Sequence, residues 1–295
     1  MDTQKKTPKD IIDFLVNNPD ASSLMIAPSA PIVLRLANGK FDVMNMIISA
    51  REINEIYSAF RMYGQVSDSS AAKDTTGSFA FPVPKVGRFR VNYVIQRGSP
   101  VLVVTRISPE IPALNTFLEQ TEPAMTLIND IIAARLNFVL LSGLRDHVAN
   151  VAYGILKFIN DSRGVNRLIC IVEPQLAYLI SHNNSIVVQC ESRIDVASVS
   201  DGVRNITALN PNILYASGIQ SDEELSLARN AISQGIITIL GSSILSHKYM
   251  VERLVGSTGI TISESVNESI RWKCATLTPS VITGKITLKT ENNFW

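Results

Sequence analysis

Residues 136–160, LNFVLLSGLRDHVANVAYGILKFIN, hold a stretch whose residue types and spacing could belong to a phosphate cradle. An apolar run, 138–141, ends at Ser142-Gly143, and an amphipathic pattern follows in Val148, Val151, Ala152, Ile155, Leu156 and Ile159. That is the strand–loop–helix setting in which G-x-x-x-x-G-K-[ST] curls its N–H groups around phosphate oxygens. The eight positions here read Gly143, Leu144, Arg145, Asp146, His147, Val148, Ala149 and Asn150, so only the first glycine matches. Val148 puts a β-branched residue where the backbone has to curl. Ala149 stands in place of the lysine that would reach the phosphates, and Asn150 in place of the hydroxyl that would hold Mg²⁺. Asp146 adds a negative charge beside them. Taken alone, these residues read as an ordinary βα turn.

The elements around that turn follow from bulk properties and periodicity. A chain of 295 residues suggests about two domains and buries roughly 70–75% of its unfolded surface. Hydrophobic content of 46% against 18% charge describes a folded protein. Lys+Arg 27 against Asp+Glu 26 leaves no global field to draw the chain to nucleic acid or anionic lipid. Cys170, Cys190 and Cys274 are widely spaced, which argues against a disulfide framework and for a reducing compartment. His147, His182 and His247 lack partners at metal-ligand spacing, so neither a metal nor a cofactor is expected. No segment approaches the ~20 apolar residues of a membrane span, and no signal-peptide core follows the N-terminus.

Residues 1–110 read as a small α+β domain. A helix opens at Thr7-Pro8, strands follow near 23–27, 32–36 and 41–44, and Asn38-Gly39 is a hairpin turn. A helix over 50–60 precedes a polar, small-residue loop at 65–76, and strands 89–95 and 101–107 then pair across Gln96-Arg97-Gly98-Ser99-Pro100. Prolines 109, 112 and 123 punctuate a linker over 111–122. Residues 123–295 alternate helix and strand as an α/β layer on parallel strands. The pattern predicts helices at 123–135, 148–160, 195–209, 222–234 and 246–255, and strands at 137–141, 167–172, 212–216 and 236–240. A hairpin-like stretch falls at 185–189, and one or two strands at 271–288. Trp272 and Trp295 are candidate interface or core residues.

Both halves together resemble the PilT-type family of hexameric secretion and pilus-retraction ATPases. Gly87-Arg88-Phe89-Arg90-Val91-Asn92, Gln96-Arg97-Gly98 and Arg106-Ile107-Ser108-Pro109 look like the family's G-R-F-R-V-N, N-R-G and R-[TI]-I-P elements. The 143–150 loop then falls where the family's Walker A sits. Downstream, Ile171-Val172-Glu173-Pro174 looks like I-E-D-P with the aspartate gone, leaving Glu173 as the residual acid. Residues 210–214, NPNIL, look like the entry to Walker B, and Gly218 stands at the water-activating glutamate. The histidine box is eroded too, its second histidine falling at Ser243, and the family's C-terminal helical extension is expected to be missing after the 285–288 strand.

The resemblance implies an N-terminal PAS-like domain followed by a RecA-like P-loop-type domain with a degenerate nucleotide site. Phosphoryl transfer depends almost wholly on positioned charge, and a general base alone contributes about 10²–10⁴-fold. Losing lysine, hydroxyl, glutamate and histidines together therefore implies a pseudo-ATPase. Arg88, Arg90, Arg97 and Arg106 match arginines that in the family reach a neighbour's nucleotide; they also read as ordinary strand arginines with carboxylate partners. The expected role is a non-catalytic subunit or regulator of a type IV pilus, type II, type IVB or conjugation machine. Its expected place is the cytoplasmic face of the inner membrane, beside an active paralogous ATPase and a platform protein, in a homo-oligomer or mixed ring and without nucleic acid. The alternatives are an ATPase with a relocated site using groups such as Glu173 and Arg145, and a free-standing adaptor.

Overall fold

The computed structural model describes residues 6–18, 20–36, 40–65, 75–219, 221–243, 253–254, 272–279 and 285–292. They form two compact units, Met1–Ser108 and Pro109–Trp295.

In the first unit, Thr7 and Asp10 cap each other reciprocally ahead of α1 (Pro8–Asn17), and Ser49 and Glu52 do the same for α2 (Ala50–Tyr63). Each box satisfies two N–H groups that the helix itself leaves unpaired. Six antiparallel strands take the order β3-β2-β1-β6-β5-β4. They are β1 (Ala21–Ile26), β2 (Pro31–Leu36), β3 (Phe41–Ile47), β4 (Thr76–Val83), β5 (Gly87–Gln96) and β6 (Ser99–Ile107). Ile11, Leu15, Ile53, Ile56 and Phe60 of the helices share one core with Leu24, Ile26, Phe79, Phe81, Phe89 and Val91 of the sheet.

Strand β4 is a finding that the sequence reading did not anticipate. The polar composition of 65–76 drew attention from the alternation Phe79, Phe81, Val83 just after it, which places two aromatics in the core. Residues 66–74 and the Asn38-Gly39 turn lie outside the described residues. Arg97 and Gly98 both have positive φ, 51° and 80°, between the register partners Gln96 and Ser99. That is the two-residue hairpin turn whose twist suits the flanking strands.

The second unit carries α3 (Leu114–Phe117), α4 (Glu122–Ile132), α5 (Arg145–Asp161), α6 (Val199–Thr207) and α7 (Asp222–Ser233). Its seven strands run in the order β13-β12-β7-β11-β10-β8-β9. They are β7 (Phe138–Ser142), β8 (Leu168–Glu173), β9 (Ile186–Glu191), β10 (Ile213–Ser217), β11 (Ile237–Ser242), β12 (Trp272–Pro279) and β13 (Ile286–Asn292). All neighbours pair in parallel except β12 with β13. Every residue of β7 and β11 is buried, the mark of strands covered on both faces. Cys170 lies in this core on β8, where burial pushes its thiol up to about 12.

Three expectations are corrected here. The stretch at 185–189 is no hairpin; it belongs to β9, which runs parallel to β8. The helix expected from 195 starts at Val199, because a turn with Arg193 at φ 66° precedes it and Ser198 caps the first turn. The helix expected from 148 starts at Arg145. Strand β12 lies parallel to β7, and Lys273 on it donates to Asp130 of α4 at 2.6 Å, which holds that carboxyl below its usual range. Apart from 253–254, the helix expected at 246–255 lies outside the described residues, with His247, Ser243's neighbour 244 onward to 252, and Trp295.

Candidate functional site

Open parallel sheets bind ligands beyond the carboxyl ends of their strands. In the second unit those ends include Ser142, Glu173, Glu191, Ser217 and Ser242. Only Gly143 and Leu144 separate β7 from α5. Two residues are too short a link to wrap phosphates, and Arg145, Asp146 and His147 are already in the helix. Val148 and Ala149 therefore sit inside α5 and are buried, with Val148 Cγ1 only 3.0 Å from where a Cβ on Gly241 would stand. Gly143 is buried as well, and a Cβ there would come within 2.8 Å of both Leu277 Cβ and Leu277 O. The glycine that matches the motif thus permits close packing against β12. Asn150 accepts a hydrogen bond from the Tyr178 hydroxyl at 2.5 Å.

Gly218 follows β10 with φ 73°, a conformation that side chains other than glycine rarely adopt. An added Cβ would lie 2.2 Å from Pro174 Cγ and 2.9 Å from Pro174 Cδ. The proline after Glu173 therefore occupies the space that any side chain at 218 would need.

Glu173 itself is buried and tied to three elements. Tyr153 of α5 donates to its Oε2 at 2.6 Å, Ser217 of β10 to its Oε1 at 2.8 Å, and the Ala177 amide to Oε2 at 3.3 Å. The Tyr153 oxygen in turn accepts from Gln189 Nε2 at 3.4 Å. Burial raises the Glu173 pKa, and the three donors act against that rise. Burial first, and the Glu173 charge next, push the Tyr153 and Tyr215 hydroxyls well above 10. The ring of Tyr153 packs edge-on against Tyr215 and Tyr178, with centroids 6.1 and 5.3 Å away. The register partner of Glu173 on β9, Glu191, is buried too and accepts the Leu176 amide at 3.3 Å. Arg145 is exposed, 3.4 Å from Gln175 Oε1.

Sequence reasoning found Glu173 and missed Tyr153, Ser217, Gln189 and Glu191. The available signal was that two apolar strands, LICIVE and IVVQCE, each end in an acid. A carboxylate closing an otherwise buried strand has to find donors.

In the first unit the register separates the four arginines. Arg88 and Arg90 pair with Ile107 and Thr105 and lie on one face of the β5–β6 ribbon. Arg106 pairs with Phe89 on the opposite face, and its Nη2 donates to Val86 O at 3.3 Å. Arg97 is exposed at the hairpin tip. Arg90 is only 6% exposed.

No family model matches the sequence, and no curated protein matches it. Solved structures do. The pilus retraction motor PilT with bound ADP aligns at a TM-score of 0.77 and 19% identity, over 99% of this chain and 84% of that one. The chain has the PilT fold. The ATPase DotB of Legionella pneumophila aligns at a TM-score of 0.69 and 19% identity, over 99% of this chain and 82% of that one. DotB of Yersinia pseudotuberculosis gives 0.65 and 16%, over 97% and 78%. An N-terminal α+β domain and a RecA-like α/β domain are therefore the two parts of this PilT-like chain. Among the described residues, no helix is long and apolar enough to cross a membrane, and no group of three or more His, Cys, Asp or Glu could hold a metal ion.

Proposed function

We propose that this chain is a non-catalytic member of a pilus or secretion machine related to those of PilT and DotB. It acts as a pseudo-ATPase subunit or regulator beside an active paralogous ATPase. The observation that carries the reading is Gly218, whose left-handed backbone, with Pro174 Cγ 2.2 Å from where a Cβ would stand, leaves no room for a carboxylate that would orient water. The two-residue link before α5 and the burial of Val148 and Ala149 support it, since a phosphate cradle needs free N–H groups and a lysine. Glu173 and Arg145, the groups available to a relocated site, favour the same reading. One is sealed among Tyr153, Ser217 and the Ala177 amide, and the other points to Gln175.

The place of action that goes with this reading is the cytoplasmic face of the inner membrane, against a platform protein. The N-terminal domain, PAS-like in the resemblance, supplies contacts to a neighbouring subunit, with Arg88, Arg90, Arg97 and Arg106 as its candidate in-trans residues. Because ligand bound between subunits stabilises an assembly by mass action, a chain without nucleotide lacks that contribution and forms a looser oligomer alone than in a mixed ring. Calorimetric titration with Mg·ATP tests the reading, with no binding expected. Micromolar binding abolished by substitutions in 143–150 would overturn it.

A further inference from the structure

Residues 174–180 leave β8 at its carboxyl end, and several of the segment's polar groups are bound by this chain's own side chains. The Leu176 amide donates to Glu191 Oε2 at 3.3 Å and the Ala177 amide to Glu173 Oε2 at 3.3 Å. The Ile180 amide donates to Gln189 Oε1 at 2.7 Å, while Gln189 Nε2 donates to Tyr178 O at 2.9 Å. The Tyr178 hydroxyl reaches across to Asn150 on α5. Pro174 fills the space above Gly218, and Leu176 is 1% exposed. Surface loops ordinarily leave their amides to water. Here the amides meet two buried carboxylates on paired strands, an arrangement that costs desolvation and like-charge repulsion unless donors converge on it.

We propose that residues 174–180 are a plug, supplied by the chain itself, that occupies the ligand crevice of its sheet. Glu173 and Glu191 serve as buried acceptors that hold the segment down through its amides, and Gln189 clamps its far end. The proposal deepens, and rests on, the non-catalytic reading above, because a crevice filled from within needs no nucleotide to order its walls. Glu173, Glu191 and Gln189 are positioning residues for the plug.

Amide hydrogen exchange on the full chain, followed by NMR, tests it. After correction for intrinsic rates, the Leu176, Ala177 and Ile180 amides should exchange about 100-fold more slowly than the exposed Gly164 amide. Gln189→Ala removes two anchors at a half-buried position, and should speed exchange at Ile180 about tenfold while leaving β7 and β11 amides unchanged. Glu173→Gln should do the same at Ala177; if that variant fails to fold, Gln189→Ala still decides. Unprotected amides in the wild type, or faster exchange spread evenly over the sheet in Gln189→Ala, would overturn the plug and leave the non-catalytic reading in place. Mg·ATP binding that leaves the three amides protected would overturn the non-catalytic reading and leave the plug. Binding that releases them would overturn both.

Discussion

The strand ends of the second unit and the β5–β6 ribbon of the first both carry residues that resemble elements of one ATPase family, yet their surroundings differ. At the strand ends the altered positions are packed shut. Val148 and Ala149 are core residues of α5, Gly143 abuts Leu277, and Gly218 lies under Pro174. On the ribbon the retained arginines are spread over two faces and a hairpin tip, and one of them is exposed. At the strand ends, ordinary packing fills the volume around the positions that align with the phosphate loop. Where a site consists of long cationic side chains on a stable ribbon, the fold keeps it without help from a ligand.

The sharpest way to break this contrast is to restore the missing carboxylate. Gly218→Glu has to place a side chain at φ 73° and move Pro174, whose Cγ is 2.2 Å from the new Cβ. Left-handed strain and overpacking together should cost about 3–5 kcal/mol, measured by urea unfolding. No ATP turnover should appear, alone or with Ala149→Lys and Asn150→Ser. A variant as stable as wild type would mean that the strand ends are open, and the contrast would fail.

Next in size is the buried carboxyl. Tyr153→Phe removes the shortest donor to Glu173 and should cost about 1–3 kcal/mol, the usual loss for a buried acceptor left short of a partner. The pH dependence has a definite sign. Glu173 is raised above its ordinary 4.5 by burial, so the fold favours its neutral form. The stability this group contributes is present below that ordinary value and is lost as pH rises through the folded value. Wild type should therefore lose stability relative to Glu173→Gln across that window, in paired urea melts where all other groups cancel. Wild type gaining stability relative to Glu173→Gln as pH rises would mean that the hydrogen bonds outweigh desolvation.

These two regions also differ in how far they could be read from sequence. The parallel α/β layer was legible because apolar runs of five or six residues alternate with amphipathic helices and leave few other solutions. Strand β9 was misread because IVVQCE follows a Ser- and Asn-rich turn, and local composition does not distinguish a hairpin from a parallel edge strand. Glu173 was legible by position, but its partners Tyr153, Ser217 and Glu191 come from three other elements, and their convergence is set by the strand order alone. The closure of the Gly218 position was hidden for a simpler reason. An absent side chain looks the same in sequence whether the space it leaves is open or filled.

Arg90 and Arg97 offer a smaller test, since the resemblance gives them equal standing and the structure does not. Arg90 is 6% exposed, so Arg90→Ala removes a packed stem and should cost about 1–2 kcal/mol. Arg97→Ala should stay within about 0.5 kcal/mol by the same melt, because the side chain is exposed. Equal losses would remove the structural difference drawn here between the two.

The smallest effect on stability separates inheritance from use. Arg97 occupies the first position of a two-residue turn with φ 51°, where asparagine is the preferred residue. Arg97→Asn should therefore leave the hairpin intact, or stabilise it by a few tenths of a kcal/mol, while deleting the charge. If the turn is all that the residue serves, co-purification with an active paralogue and the ATP turnover of the mixed assembly should match wild type. If the guanidinium reaches a neighbour's phosphate, no amide can replace its charge, and turnover should fall at unchanged fold stability, by a factor that can reach 10³ or more for an arginine supplied in trans. Arg88→Ala, on a different face from Arg106, belongs beside it in the same assay. A loss at Arg97 and Arg88 without one at Arg106 would mean that the ribbon works through one face and its tip. Unchanged turnover at all three would reduce the arginines to elements of a stable hairpin and would favour an adaptor that kept the fold for protein contacts alone.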